Sequence, residues 1–267
     1  KRQLLTRLLR TPAPLNKDGS VGVRTLAALT KELGFDPGLT ITVGEAAGLI
    51  GRGPVDDSRT GADDTNALAA TKDALSWLDA PISDQWAILL AGWLASPWRL
   101  DQGRLLSTES RQPDLRRTRE VVARHGGDME QLLFHAPLDT AGLRPEFVAQ
   151  LAEEARTFGA LAPTPSTPLR VLLARGDVAA ATRELVPAEI DAVIAQADLT
   201  ILAPGPLPPA MASMLESFAQ LESPGLASVW RVSDASVRRA LDAGRTADEL
   251  KAWLEAHTLG EVPQGLG

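Results

Sequence analysis

Short stretches of apolar residues at helical spacing, separated by Gly, Pro and polar breaks, run along most of the chain. KRQLLTRLLRTP at the start predicts a helix, with Leu4, Leu5, Leu8 and Leu9 at helical spacing. DPGLTITVGEAAGLIG predicts another such helix, and SDQWAILLAGWLASPW predicts a strongly apolar one. Because each stretch is short, the sequence favours many small packed helices over one long helix or a large sheet.

The first hundred residues have the element order of a winged helix-turn-helix. A second helix is predicted over 21–34 and ends at Gly34, where a left-handed residue suits a helix stop. Its inward-facing residues are predicted to be Val23, Leu26, Ala27, Leu29 and Leu33. The third helix is followed by an acidic loop, GRGPVDDSRTGADDTN, and a short extended segment. Three helices, a loop and a strand predict a winged-helix-like unit.

Two polar stretches predict domain boundaries. DQGRLLSTESRQP separates 1–106, the winged-helix-like domain, from 107–164, a second helical domain read as a degenerate winged helix. APTPSTP then precedes 165–267, which has a different pattern. Helices of the middle domain are predicted over 114–125, 128–136 and 145–158.

The last domain mixes strands and helices. IDAVIAQADLTILAPG is β-branched and apolar on both sides of a break, so it predicts one or two strands, and SVWRVS predicts another. PPAMASMLESFAQLES predicts a helix with two prolines at its start. The predicted fold class is therefore mainly α with a small β component: tandem winged-helix-like units followed by a small α/β domain.

WRVSDASVRRALDAGRTADELKAWLEAH predicts a tight helical hairpin over 230–257. Ser233 stands at the N-cap of its first helix, and Gly244 supplies the stop. Thr246 and Glu249 have capping-box spacing at the start of the second helix. The buried residues of the first helix are predicted to be Val237, Ala240 and Leu241.

These residues carry a resemblance to a known family. The pattern comprises Gln196, Asp198, Leu199 and Thr200; Leu221, Glu222 and Ser223; Trp230 to Ser233; Ala235 to Leu250; and Val262 to Gln264. It resembles the N-terminal, damage-recognition-like domain of XPB-type DNA repair helicases. It is more similar still to the helicase-associated domain of large bacterial proteins. The resemblance covers about the last third of the chain and implies an accessory module in DNA repair or remodelling.

The resemblance does not imply a motor in this chain. A P-loop requires a Gly-rich cradle followed by Lys and Ser or Thr, and no Gly-Lys pair occurs in the sequence. No other catalytic motif and no cofactor is predicted, so the chain is not expected to be an enzyme. Lys1 at the start predicts either a fragment of a longer protein or a processed chain, and a motor can lie outside a fragment.

The hairpin supplies the main candidates for nucleic-acid contact. Arg238 and Arg239 project away from its apolar face, and Arg231 and Arg245 can extend the patch. One interpretation is phosphate contact, because guanidinium groups bind phosphate bidentately. The other is a solvated helix face that pairs locally with nearby aspartates.

The first domain supplies weaker candidates. Lys17, Arg24 and Lys31 lie on or beside the second helix. The expected recognition helix, LTITVGEAAGL, has Glu45 and no Arg or Lys, and the following loop is acidic. A protein-binding or scaffold role is therefore favoured over base readout for this unit.

Composition limits the partners. The formal net charge of −7 weakens the case for a protein that coats duplex DNA, without excluding a local basic face. The chain has no Cys, which excludes disulfides, Cys-ligated zinc and a thiol nucleophile and fits a cytoplasmic, even nucleoid-associated, protein. No apolar run has membrane-spanning length. The expected partner is duplex, forked or single-stranded DNA. The alternative is a scaffold that docks on a helicase, nuclease or transcription partner.

Several other side chains have simpler explanations. DDSRTGADDTNA resembles part of a calcium loop, but its twelfth position is Ala67 instead of Glu. His125, His135 and His257 stand in different segments without metal-ligand spacing. Trp98 and Trp230 are weighed as stacking platforms for an unpaired base, with core burial the favoured alternative for Trp230.

Overall fold

The structure, a computed structural model, describes residues 1–54 and 66–266. Their contacts form two compact units. The first takes in Lys1–Leu78 and Ser83–Arg183, and the second takes in Asp79–Ile82 and the chain from Glu184 onward. The division of the chain into three domains stays a prediction.

The first unit opens with alternating helices and strands. Its elements are α1 (Arg2–Arg10), β1 (Ala13–Pro14), α2 (Val23–Leu33), α3 (Gly38–Ala46), β2 (Ile50–Pro54) and β3 (Asn66–Ala70). The three strands form an antiparallel sheet in the order β1-β3-β2. Gly34 ends α2 with a φ of 78°, as predicted, and its N–H donates to the Thr30 carbonyl.

Helices make up the rest of the first unit. They are α4 (Lys72–Asp79), α5 (Ile82–Ala95), α6 (Leu115–Arg124), α7 (Met129–His135), α8 (Pro137–Thr140), α9 (Pro145–Thr157), α10 (Thr167–Leu173) and α11 (Val178–Arg183). The helices predicted over 114–125, 128–136 and 145–158 correspond to α6, α7 and α9. The polar stretch between α5 and α6 packs against the unit: Leu106 is buried, and the Leu105 carbonyl accepts from the Val21 N–H.

The core of the first unit runs from α1 to α10 as one apolar cluster. Helix α5 lies within it, and both Leu90 and Trp93 are fully buried. Gly92 allows α5 to approach α3, because a Cβ at this position would lie 2.7 Å from the Ala47 Cβ and 3.0 Å from the Val43 carbonyl oxygen. The absence of a side chain at Gly92 therefore permits the close contact.

The second unit is a four-stranded antiparallel sheet with three helices. Its elements are β4 (Ile194–Ala195), β5 (Thr200–Ala203), α12 (Pro209–Phe218), β6 (Ala219–Ser223), β7 (Ser228–Val232), α13 (Asp234–Asp242) and α14 (Ala247–His257). The strand order is β4-β5-β7-β6. Its core includes Ile201, Leu215, Phe218, Trp230 and Leu254, from the sheet and the helices together.

The prediction of a mainly α chain with a small β component is confirmed. The break predicted at Gln196–Asp198 lies in the turn between β4 and β5. One prediction is wrong: AQLES continues from α12 as strand β6 rather than as helix, because it pairs with β7 from Ala219↔Val232 to Ser223↔Val229. Tertiary pairing overrides its helical spacing here.

Three residues predicted to be buried are exposed instead. On α2, Val23 is 75% exposed and Ala27 is exposed, while Leu29 is buried as predicted. On α13, Leu241 is 42% exposed, because the buried side of the helix runs through Ser236 and Ala240. Each helix buries a narrower stripe than its apolar residues suggest.

Candidate nucleic-acid interface

Local capping fixes the helical hairpin that presents the candidate arginines. The Ser233 hydroxyl accepts from the Ser236 N–H, and the Ser236 hydroxyl accepts from the Ser233 N–H, so α13 begins with a reciprocal capping box. Thr246 and Glu249 form the predicted capping box of α14. Gly244 joins the two helices with a φ of 91°.

Ser236 also anchors α13 to the preceding helix. Its Oγ lies 2.6 Å from the carbonyl oxygen of Phe218, the last residue of α12. The side chain is buried, so this hydrogen bond is shielded from competing water. Helix α13 therefore has a fixed position on the second unit.

Three of the four candidate arginines of the hairpin region are free. Arg238, Arg239 and Arg245 are exposed, and none forms an ion pair or side-chain hydrogen bond within residues 1–54 and 66–266. The local pairing with Asp234 or Asp242, which helical spacing allows, is not formed. Arg238 lies opposite the buried side of α13, so its guanidinium is open to a ligand.

Arg231 has a different environment. Its Nε and Nη2 each lie 3.0 Å from a carboxylate oxygen of Glu222 on β6, and its Nη1 donates to the Asp198 carbonyl. These contacts raise the pKa of the Arg231 guanidinium, chiefly through the Glu222 hydrogen bonds. Because its donors are already engaged, Arg231 ties β7 to β6 and to the β4–β5 turn.

The Q-x-D-L-T residues of the resemblance form that turn. The Thr200 hydroxyl lies 2.6 Å from Asp198 Oδ1 and 2.7 Å from Gln196 Oε1, and the Thr200 N–H also donates to Asp198. The hydrogen bonds from Thr200 lower the pKa of the Asp198 carboxyl. Leu199 takes a φ of 67° between them. These hydrogen bonds hold the turn in place.

In the first unit, the candidate cations lie on and beside α2. Arg24 and Lys31 are both exposed and are seven residues apart, which places them on one face of the helix. Ala27 and Ala28 are exposed between them. Lys17 is exposed in the turn that precedes α2. The two cations of α2 thus flank small exposed side chains on one face of the helix.

Helix α3, the expected recognition helix, is enclosed. Every residue of α3 is buried or half-buried, and α5 covers it at Gly92. Its one charged residue, Glu45, accepts from the Arg52 guanidinium at 2.9 Å and from the Trp98 indole N–H at 2.7 Å. No residue of α3 is fully exposed and none is Arg or Lys, so the structure does not favour base readout by this helix.

The stacking interpretation of two tryptophans is wrong. Trp98 is 5% exposed, and the Arg52 guanidinium carbon lies 5.1 Å from its ring centroid. Trp230 is likewise 5% exposed, and its indole N–H donates to the Ser228 hydroxyl. Both rings are occupied by packing, so neither presents a face to an unpaired base.

The structure also contains a buried ion pair that local sequence reasoning missed. Arg119 on α6 is fully buried, and its Nη2 lies 3.1 Å from Glu154 Oε2 on α9. Its Nη1 donates to the Ser96 carbonyl, and Glu154 also accepts from the Trp93 indole N–H. Burial lowers the pKa of Arg119, while Glu154 opposes that shift. This pair joins α6, α9 and the end of α5.

A second missed feature is a pair of histidines. The rings of His125 and His135 stack with centroids 5.1 Å apart and an interplanar angle of 8°. His257 is elsewhere, with Nδ1 3.3 Å from the Asp191 carbonyl oxygen. Across the described ranges, no group of three His, Asp or Glu residues is placed to hold a metal ion. The calcium-loop and acidic-loop residues of 55–65 lie outside those ranges.

The candidate site residues therefore form two separate sets. Arg231, Arg238, Arg239 and Arg245 belong to the second unit, and Lys17, Arg24 and Lys31 belong to the first. None of the helices in the described residues has the length and apolar character that spanning a bilayer requires.

The last part of the chain matches a known family model. Residues 193–267 match the model described as helicase conserved C-terminal domain. The matched segment contains the whole four-stranded sheet and the α13–α14 hairpin with its arginines. No curated protein matches the chain. The family match supports a helicase-associated domain in this segment.

Proposed function

We propose that this chain is a non-catalytic accessory module of a helicase-like DNA repair or remodelling protein. Its second unit binds DNA through Arg238, Arg239 and Arg245, and Arg231 positions the strand that leads into the hairpin. The observation that carries the proposal is that three exposed arginines lie inside the segment that matches a helicase domain and form no ion pair with any residue that the structure describes.

Free arginines suit phosphate contact on energetic grounds. A guanidinium already held by a carboxylate must give up that partner before it can bind phosphate. Arg238 and Arg239 have no such partner in the described residues, so their donors are available for charge-assisted hydrogen bonds. Arg231 would lose its two contacts with Glu222, so it contributes by placing α13.

The first unit adds contacts with DNA phosphates that do not depend on the base sequence. The order α1-β1-α2-α3-β2-β3 with the sheet β1-β3-β2 supports the winged-helix-like interpretation of this region. Because α3 is enclosed, the cations of α2 and its preceding turn, Lys17, Arg24 and Lys31, can contact phosphates without reading bases. The degenerate winged helix of the middle segment stays a prediction.

The proposed relation to XPB-type helicases and to DNA repair rests on the sequence resemblance. The residues that resemble XPB-type and bacterial helicase-associated domains hold the β4–β5 turn and the hairpin caps. This supports a related scaffold in this chain and a DNA repair setting. A cysteine-free chain also suits a cytoplasmic location beside the nucleoid.

A charge-reversal experiment tests DNA binding. Fluorescence anisotropy with labelled duplex, forked and single-stranded DNA is measured from about 50 mM salt upward, since phosphate contacts are strongest at low salt. The double variant Arg238→Glu/Arg239→Glu is expected to bind duplex or forked DNA more weakly. The magnitude of the slope of log affinity against log salt concentration should be smaller by about 2 in this variant.

The matched control is Arg10→Glu/Arg116→Glu, which reverses two exposed arginines of the first unit. This variant is expected to retain binding by the hairpin. Equal losses in both double variants would show a nonspecific effect of net charge. Absence of binding at about 50 mM salt by the unmodified chain would overturn DNA binding altogether.

A protein-interaction scaffold is the second candidate, and the charge of the second unit favours it. That unit has five basic residues, Arg231, Arg238, Arg239, Arg245 and Lys251, and more than twice as many Asp and Glu. Such an excess repels phosphate at long range and suits a basic protein partner. Pull-down from a bacterial lysate with and without nuclease separates the two candidates. Partners that remain after nuclease treatment support the scaffold.

A further inference from the structure

A cationic cavity opens on the first unit, and none of the candidate site residues named above lines it. Its volume is about 500 Å³, and it lies where α6 ends and α10 packs nearby. The lining residues are Arg124, His125, Pro165, Arg170, Leu173 and Ala174. The cavity thus combines two arginines and a histidine with an apolar wall.

The positive groups of this cavity are only partly neutralised. Arg124 forms an exposed ion pair with Glu120 at 2.8 Å. Arg170 donates to the Thr167 hydroxyl, and within the described residues it has no carboxylate partner. Burial, followed by the charges of His135 and Arg124, lowers the pKa of the half-buried His125. Because the lowered pKa favours the neutral form of His125, the two guanidinium groups are the charges that an anion in the cavity would meet.

A row of aromatic rings leads from the cavity to the surface. His125 stacks on His135, and the Phe134 ring meets His135 edge-on with centroids 4.9 Å apart. The centroids of Phe134 and His125 are therefore at most about 10 Å apart. Phe134 is 79% exposed, so its ring is open to a ligand.

Rings beside cations suit a single-stranded nucleic acid. Single-strand sites combine positive groups, which follow the backbone, with aromatic side chains on which bases stack. A base in a duplex is already stacked between its neighbours and cannot reach such a ring without being unstacked. A short span from ring to cavity allows one base and a nearby phosphate to be bound together.

We propose that Phe134 and the cavity lined by Arg124, His125 and Arg170 form a binding site for single-stranded nucleic acid. An unpaired base stacks on Phe134, and a neighbouring phosphate enters the cavity beside Arg170. This site is independent of the hairpin arginines and takes a different form of nucleic acid.

The first test compares two exposed apolar side chains that differ in having a ring. Affinity for labelled oligo-dT is measured by anisotropy at low salt, for the variants Phe134→Ala and Leu138→Ala of the 267-residue chain. Leu138 is 92% exposed on α8, so neither substitution removes core packing. Phe134→Ala is expected to weaken binding at least fivefold, as loss of one stacked base does. Leu138→Ala should change it by less than about twofold.

The second test addresses the cavity. Arg170→Ala is expected to reduce the magnitude of the slope of log affinity against log salt concentration by about 0.7, the value for one phosphate of a single strand. The control is Arg116→Ala, which removes an exposed arginine of α6 that does not line the cavity. Its slope should match that of the unmodified chain.

Several results would overturn the site. Equal losses in Phe134→Ala and Leu138→Ala would indicate a general apolar contact, such as a protein interface, instead of stacking. Unchanged binding in both Phe134→Ala and Arg170→Ala, or no oligo-dT binding by the unmodified chain, would also contradict it. Oligo-dT binding that persists in Arg238→Glu/Arg239→Glu supports the independence of the two sites. Its loss in that variant would show that the hairpin, and not Phe134, binds the single strand.

Discussion

Helices α3 and α13 make an instructive comparison, because the sequence marks both as places where nucleic acid could bind. Helix α3 has the position of a recognition helix, yet every residue is at least half-buried and its charge is used internally. Helix α13 buries only a narrow stripe and leaves Arg238 and Arg239 in solvent. The order of the elements therefore does not determine which helix can contact a ligand. The exposed surface of each helix determines it.

The arginines of the two regions differ in the same way. Near α3, Arg52 clamps Glu45, and Arg119 is fully buried with Glu154. On α13, the arginines have no partner in the described residues. A buried arginine stabilises or destabilises the fold according to its partner, whereas an exposed one can be replaced with little effect on folding.

The largest effect that we expect comes from breaking the buried pair. Glu154→Ala leaves the Arg119 guanidinium buried without its carboxylate, which should lower the free energy of unfolding of the first unit by about 3–5 kcal/mol. Urea denaturation followed by tryptophan fluorescence measures this. Arg238→Ala should change stability by no more than about 0.5 kcal/mol. Similar values for the two variants would contradict the contrast between buried and free arginines.

An intermediate effect is expected from crowding the contact that encloses α3. Gly92→Ala places a Cβ 2.7 Å from the Ala47 Cβ, and such overpacking costs about 1–3 kcal/mol. The control is Gly53→Ala on β2, where an added Cβ meets no atom within 4 Å. Thermal unfolding of both variants gives the comparison. If Gly92→Ala proves as stable as Gly53→Ala, α5 is not closely packed against α3.

The smallest expected effect on stability comes from Asp198 in the β4–β5 turn. The pKa of Asp198 is lower in the folded state than in the unfolded chain, so its ionised form stabilises the fold at pH values above about 4. This stability is lost as the pH falls through the folded-state pKa. The urea midpoint of the second unit should therefore decline more steeply in acid for the unmodified chain than for Asp198→Asn. Asp242→Asn, at an exposed carboxylate without an ion pair in the described residues, should leave the steep decline unchanged.

Local signals predicted the hairpin well, since caps and stops act within a few residues. Ser233, Gly244 and Thr246 have the predicted roles, and the capping box at Glu249 is present. Strand β6 was missed because its pairing with β7 is tertiary, whereas Ala219 and Leu221 continue the apolar pattern of α12. A pattern that suits two structures is decided by its partner.

The candidate site was less predictable because its decisive contacts are long-range. Arg119 lies in the polar stretch LRRTREVVAR, and nothing near it in sequence points to Glu154. The enclosure of α3 depends on Gly92, and the aromatic row depends on contact between His125 and His135. Only the folded chain brings these residues together.

The hydrogen bond from Ser236 to the Phe218 carbonyl has a mechanical consequence. A load applied to Arg238 or Arg239 passes into the first turn of α13 and from there to the end of α12, where β6 begins. Because this hydrogen bond is short and shielded from water, it opposes separation of α13 from the end of α12. A force on the hairpin would thus reach β6 and, through it, the sheet of the second unit.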